Sequence, residues 1–299
     1  MVSRWLPVHE GHAIELCMAT FQFGEPVTAK AWQAIAESIS AKARDAGFEA
    51  RSDTVELNLS VPGNFGIGAG FQVAPMGLGP GAPQLPGQPP SGPVSRSPVR
   101  ILSASDDGGP REQVYLRRDH VAYASMRYPG WSAFSRQAGV LLAEDVERII
   151  QLVDVHSVKL ECWDRFTFEG EPAEAEFGEL FELPSGYLPG FPKGSPELWH
   201  SHVGAFVPGA ADARRLVNLN VDIVDLRQAA MDDGRLPGLK RSAGIYTMVR
   251  DEFRQGYMPS GFSQVAGTLD GLHVALKEVF SEVITSRTAD MITLNPEQT

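Results

Sequence analysis

The stretch from Tyr128 to Phe168 constrains the fold most strongly, because a long helical pattern runs directly into a long strand pattern. In its first part, apolar residues recur at three- and four-residue spacing, which places them in one stripe along a helix. The stripe consists of Trp131, Phe134, Ala138, Leu141, Leu142, Val146, Ile149, Ile150 and Val153. Pro129 and Gly130 precede it, where a helix begins rather than continues. We therefore predict a helix over about residues 131–153.

The second part, Val155 to Phe168, predicts a strand because its side chains alternate in character with a period of two. The apolar positions are Val158, Leu160, Cys162 and Phe166, and the alternate positions are Lys159, Glu161, Trp163 and Arg165. Such alternation is typical of a strand with one side toward a core.

Other periodic segments complete the predicted order of elements. Strands are predicted at 12–23, 48–61, 99–105, 113–116, 120–126, 199–207, 215–226 and 244–253, and helices at 27–46, 175–181 and 269–286. This order predicts an α+β fold of antiparallel sheet with long helices packed on one face. It also indicates two related halves, β-α-β4-α over 1–153 and β-α-β3-α over 154–299, packed as one globular unit.

Residues 62–98 interrupt this pattern, because roughly half of them are glycine or proline. Such a segment supplies little regular hydrogen-bonded structure, so we predict a flexible loop leaving a sheet edge. A long loop on a rigid sheet often carries a docking function. The loop is therefore a candidate site for a protein partner.

Composition excludes several classes of function. The formal net charge is −11, which argues against broad nucleic-acid binding. We find no signal-peptide pattern and no apolar run of about 18 residues, so we expect a cytoplasmic protein without a membrane span. The two cysteines, Cys17 and Cys162, both fall in predicted strands and are predicted to be buried free thiols.

Two histidine pairs are candidate metal ligands. His200 and His202 are two apart on a predicted strand, so their imidazoles would point the same way. His9 and His12 form a second pair just before the first predicted strand. If these segments meet, four nitrogens would suit a divalent metal. The alternative is that His200 and His202 simply lie on a solvated sheet face. Apart from this metal, no cofactor is predicted.

A polar row offers a candidate ligand groove. Asn218, Asn220 and Asp222 alternate with apolar residues, which gives that strand one wet side and one dry side. The row either lines a groove on the sheet or is ordinary solvent exposure. Glu161 and Asp164 are a further pair of carboxylates, but they point to opposite sides of a strand, which argues against a joint acid–base role.

Four short segments of the chain resemble the motifs of a known family. They are Ala13 to Phe23 with its Phe-x-Phe end, Tyr128-x-x-Trp131-x-x-Phe134, the strand around Asp164-Arg165, and Leu269-Asp270-x-Leu272-His273. On these motifs the chain resembles a sporadically distributed, uncharacterised bacterial family, although that family usually has asparagine at the position of Asp164. The resemblance covers most of the chain outside 62–98. It implies an accessory role, associated with mobile or defence genes, and no particular activity.

The sequence therefore favours a non-enzymatic binding or adaptor protein, because no convincing catalytic set accompanies its well-patterned core. Two alternatives remain open: a metal-dependent enzyme or metal-binding protein using the His-x-His strand, and a small-ligand-binding protein with a groove on the sheet.

Overall fold

The computed structural model describes residues 4–59, 94–106, 109–209, 213–227 and 238–294, which hold four α-helices and ten strands. The helices are α1 (Ala29–Asp45), α2 (Trp131–Ile150), α3 (Phe262–Val283) and α4 (Ser286–Met291). The strands are β1 (Trp5–Pro7), β2 (Ile14–Phe23), β3 (Ala50–Leu59), β4 (Val94–Asp106), β5 (Gly109–Arg117), β6 (His120–Ser125), β7 (Val155–Phe168), β8 (His200–Pro208), β9 (Arg214–Arg227) and β10 (Leu239–Glu252). The predicted mixed fold with antiparallel sheet is confirmed.

The ten strands form one antiparallel sheet in the order β3-β4-β5-β6-β2-β7-β10-β9-β8, with β1 pairing to β7 outside this path. The central pair joins β2 to β7, with Cys17 opposite Cys162. The two edges are β3 and β8. Strands from both predicted halves therefore belong to a single sheet.

Several element boundaries differ from the prediction. The predicted helix at 175–181 is replaced by two 3-10 turns, Pro172–Glu174 and Phe177–Glu179. Helix α3 begins at Phe262, seven residues before its predicted start, and β1 and α4 were not predicted. Strand β4 begins at Val94, inside the predicted loop. Strand β4 pairs with β3 from Val94 to Ser103, but with β5 only from Arg100 onward. Pro98 is therefore tolerated, because the N–H that it lacks would have no partner on the β5 side. The part of the predicted loop from 62 to 93 lies outside the described residues.

A large apolar core joins the helices to alternate positions of the sheet. Helix α3 packs against β7 and β10, and α2 packs against α1 and α3. Phe21, Phe134 and Phe166 are among the fully buried residues of this core. A smaller second cluster occupies the opposite positions of the strands: Leu16, Met18, Val99, Tyr115, Ala122 and Ala124.

A buried carboxylate connects α1 to α2. Asp145 of α2 has no exposed surface, and it accepts hydrogen bonds from Ser38 at 3.0 Å and Lys42 at 2.9 Å, both on α1. Arg148, one turn along α2, donates to its other oxygen at 3.2 Å. A buried charge is tolerated when it is paired and hydrogen-bonded in this way.

Among the described residues, no helix is both long enough and apolar enough to cross a membrane.

Candidate functional site

The cross-strand register places a set of polar and aromatic residues on the sheet side that carries the smaller cluster. Three rows run across β2, β7, β10 and β9: Thr20, Lys159, Arg250 and Leu216; Met18, Glu161, Met248 and Asn218; Leu16, Trp163, Tyr246 and Asn220. We call these twelve residues the Glu161 face. Because cross-strand neighbours point to the same side of a sheet, their side chains share one surface.

Glu161 is the centre of this surface. Only 1% of the residue is exposed, yet its carboxylate accepts hydrogen bonds from Lys159 Nζ at 2.7 Å and from the Tyr246 hydroxyl at 2.7 Å. Burial and the adjacent Glu161 carboxylate raise the pKa of Tyr246, so its hydroxyl remains a donor. A buried ion pair adds little to stability compared with apolar packing, and polar sites of this kind are a common feature of functional surfaces.

Two aromatic rings lie beside the carboxylate. Trp163 and Tyr246 are direct partners on β7 and β10, and their ring centroids are 4.6 Å apart. Both residues are half-buried, so the pair contributes a partly accessible apolar surface next to a charged group. A flat apolar surface beside convergent polar groups is typical of ligand sites.

Several buried polar atoms of the Glu161 face lack a hydrogen-bond partner within the described residues. They are Thr20 Oγ1, Asn218 Oδ1, Asn220 Oδ1 and Arg250 Nε. Leaving a buried polar atom unpaired costs about 1–3 kcal/mol, so most buried polar groups in folded proteins are paired. The concentration of such atoms on one surface marks it as the candidate site.

The predicted groove residues follow this surface toward the sheet edge. Asn218 and Asn220 belong to the Glu161 face, and Asp222 continues the row on β9 with an exposed side chain. Strand β8 places His202 opposite Asn220 and His200 opposite Asp222. The structure therefore brings the predicted His-x-His strand beside the predicted polar row.

The two histidine pairs do not meet. His9 and His12 lie together before β2, with ring centroids 4.9 Å apart, whereas His200 and His202 lie on the edge strand β8. Four strand spacings separate β2 from β8 in the sheet, or about 19 Å at about 4.8 Å per step. One metal ion therefore cannot bind both pairs. In the described ranges, no group of three or more His, Cys, Asp or Glu side chains is placed to hold a metal.

Asp164 occupies the other side of β7 from Glu161. Its carboxyl group is buried, and burial together with the negative charge of Glu15 raises its pKa to about 8. Asp164 also contributes to the raised pKa of Tyr128, whose main cause is burial. It contributes in the same way to the raised pKa of Cys162, whose main cause is the hydrogen bond to Cys17. The two carboxylates thus belong to separate environments, and no shared acid–base role arises between them.

Motif residues of α2 and α3 meet at the helix interface. Trp131 Nε1 donates to Asp270 Oδ1 at 3.0 Å, and the Trp131 indole stacks on the His273 imidazole with centroids 4.0 Å apart. Burial and the nearby Lys277 lower the pKa of His273 to about 4, so the stacked ring is neutral at pH 7. These contacts explain the spacing of both motifs as helix packing.

A cavity of about 650 Å³ at the end of β8 was not predicted. Its lining comes from four strands and the segments that follow them: His156, Phe206, Val207, Pro208, Ala213, Arg214, Glu252, Phe253 and Arg254. Arg214 lies over the Phe206 ring at 4.0 Å and donates to Glu252 at 2.9 Å. Residues so far apart in the chain carry no local sequence signal.

No protein-family model matches the chain, and no curated protein matches it either.

Proposed function

We propose that this chain is a non-enzymatic binding protein and that the Glu161 face is its recognition surface. The observation that carries the proposal is the set of buried, unpartnered polar atoms of Thr20, Asn218, Asn220 and Arg250. Such atoms cost stability in the free protein, and a bound molecule that hydrogen-bonds to them removes that cost. Sites shaped for binding commonly carry a cost of this kind.

The arrangement of the helices supports this assignment. We infer that the three long helices share the sheet side opposite the Glu161 face, because the large core contains residues of all three and the smaller cluster contains none of them. On that side, the half-buried residues Trp163, Tyr246, Asn218 and Asn220 are the ones that a ligand or partner can reach.

The strand order also supports two related halves. In β3-β4-β5-β6-β2, the long strand β2 pairs with the last strand before α2, and in β7-β10-β9-β8, β7 pairs with the last strand before α3. The halves then meet through the antiparallel β2–β7 pair. Under this duplication, the Glu161 face straddles the junction between the halves, where related folds often place a site.

The chemistry of the surface defines the ligand class. The unpaired oxygens of Thr20, Asn218 and Asn220 accept hydrogen bonds, and the Trp163–Tyr246 pair offers a flat apolar contact. We therefore expect a ligand that presents N–H or O–H donors beside an apolar group, as a peptide segment of a partner protein does. The resemblance to an accessory bacterial family is compatible with an adaptor role in a defence or mobile-element system.

The test compares three proteins purified without chelator from the cells that encode the chain. They are the wild type, the double variant Asn218→Ala/Asn220→Ala, and Gln33→Ala, which removes an exposed amide on α1. Native mass spectrometry reports the occupancy of any co-purified molecule. We expect the wild type and Gln33→Ala to carry the same molecule, and the double variant to bind it at least about ten-fold more weakly and to retain less of it, since each lost hydrogen bond is worth about 1 kcal/mol.

Thermal unfolding separates loss of binding from loss of folding. Because the substituted amide oxygens have no hydrogen-bond partner among the described residues, the double variant is expected to unfold at the same temperature as the wild type or above it. Recovery of the bare wild-type chain, or equal occupancy in the double variant, contradicts the proposal.

A further inference from the structure

The two edges of the sheet are protected very differently. The β3 edge carries charged residues, including Arg51 and Asp53, which discourage another strand from pairing. The β8 edge, His200–Pro208, contains no Lys, Arg, Asp or Glu, and its outer side faces no strand in the described part of the chain. An exposed edge strand without charges is a template for pairing with another chain.

Two backbone hydrogen bonds show which groups of β8 point outward. The Trp199 carbonyl accepts from Ile223 N–H, and Gly209 N–H donates to the Ala213 carbonyl, both at 2.9 Å. Odd-numbered residues therefore direct their backbone groups toward β9, and the register between them is regular. The outward groups belong to the even-numbered positions: His200, His202, Gly204, Phe206 and Pro208. Pro208 has no N–H to donate, which suits the outward side.

We propose that β8 pairs antiparallel with β8 of a second copy of this chain, about a two-fold axis at Gly204. In this register Gly204 lies opposite its own copy, His202 lies opposite Phe206 of the second copy, and His200 lies opposite Pro208. All of these are positions with outward backbone groups, so about eight hydrogen bonds join the two strands. The two sheets become one continuous sheet through a closed, isologous interface.

The side chains of β8 are self-complementary in this register. His202 meets Phe206, Val203 meets Ala205, and Ser201 meets Val207, so no like charges face each other. A strand from another protein would need side chains that complement those of β8, whereas β8 of a second copy already has them. Because β8 contains no Lys, Arg, Asp or Glu, the pairing desolvates no permanently charged side chain.

The dimer also covers apolar groups that are unusually exposed in the monomer. Phe206 is 49% exposed, Val207 is 40% exposed, and Leu198, two residues before β8, is 52% exposed. Across the two-fold axis, Leu198 of the second copy lies just beyond Pro208, at the rim of the cavity that Phe206 and Val207 line. The exposed residues of each copy therefore pack beside those of the other.

The test needs no ligand, so it is independent of the proposed function. The first measurement is the mass of the wild type in solution by light scattering after gel filtration. The second is cross-linking of Gly204→Cys with a short bis-maleimide, with Ser52→Cys on the exposed β3 edge as the matched control. A Cβ at Gly204 would lie 3.5 Å from Asn218 Oδ1, an ordinary contact, and the native thiols of Cys17 and Cys162 are buried.

We expect a dimeric mass and a cross-linked dimer from Gly204→Cys, because paired residues opposite each other in such a ladder have Cα atoms about 5.5 Å apart. Ser52→Cys is expected to remain uncross-linked. Gly204→Pro removes only an outward N–H and is expected to give a folded monomer, with circular dichroism like that of the wild type. A monomeric wild type at about 100 times the concentration of the cross-linking assay, or equal cross-linking of both cysteine variants, overturns the proposal.

Discussion

The Tyr246 hydroxyl lies 2.7 Å from Glu161 Oε2, which joins two residues that are 85 positions apart in the chain. Their strands, β10 and β7, are neighbours in the sheet, and Lys159 binds the other carboxylate oxygen from β7 itself. A carboxylate that is 1% exposed is thereby held between one cation and one hydroxyl.

Removing one partner of the Lys159–Glu161 pair is expected to lower the free energy of unfolding more than replacing both partners by apolar residues. Lys159→Met leaves a buried carboxylate without its cation and is expected to lower the free energy of unfolding by about 3–5 kcal/mol. The double variant Lys159→Met/Glu161→Leu removes both charges and leaves only the Tyr246 hydroxyl without its acceptor, so its expected loss is smaller, about 1–3 kcal/mol. Urea unfolding of both variants measures the difference. Equal losses in the two variants would show that packing, rather than charge, dominates at this site.

Asp164 predicts a falling stability with rising pH. Its folded pKa of about 8 lies above the ordinary value of 3.8, so the folded protein holds a proton that the unfolded chain releases between pH 4 and pH 8. The free energy of unfolding therefore falls through this window, by at most about 1.4 kcal/mol per pH unit. Asp164→Asn is expected to remove that slope and to be more stable than the wild type at pH 8. Parallel pH profiles of the two proteins would contradict this assignment.

His273 predicts the opposite pH dependence. Its pKa is lowered from 6.5 to about 4, so its contribution to stability is complete above pH 6.5 and is lost as the pH falls toward 4. His273→Phe keeps a flat ring against Trp131 and cannot gain a proton. Its thermal midpoint is expected to fall less than that of the wild type between pH 6.5 and pH 4.5. A separate nuclear magnetic resonance titration should place the imidazole pKa of the wild type well below 6.5.

The α1–α2 contact is expected to depend on Asp145 and hardly at all on its neighbour. Asp145→Ala leaves Lys42 and Ser38 without their shared acceptor and is expected to cost about 2–4 kcal/mol. Glu144 also pairs with Lys42, at 2.7 Å, but it lies in solvent, so Glu144→Ala is the matched control and is expected to cost much less than Asp145→Ala. Thermal or urea unfolding of both variants provides the comparison, and similar losses would argue against a specific role for the buried carboxylate.

Local patterns predicted the elements whose sequence repeats regularly. The 155–168 strand was predicted with the bounds that β7 has, and α2 begins after Gly130 as predicted, although it ends at Ile150. The start of α3 was missed, although Phe262 and Val265 continue the apolar stripe, because Gly267 lowers the helix propensity just before Leu269. The start of β4 was missed because Pro98 is unfavourable in an interior strand, and only the pairing of β4 makes it acceptable.

The sequence by itself determined which residues of each strand share a side, because the alternation of side chains depends only on the local backbone. The sequence thus placed Glu161 and Asp164 on different sides of their strand, and Asn218 and Asn220 on the same side of theirs. Only the tertiary structure decided that β10 lies between β7 and β9, which brings Tyr246 to Glu161 and leaves β8 at the edge. Strand order depends on the packing of the whole core, and long-range pairing has no local signature. Strand order also separates His9 and His12 from His200 and His202, and no residue spacing in the sequence predicts that separation.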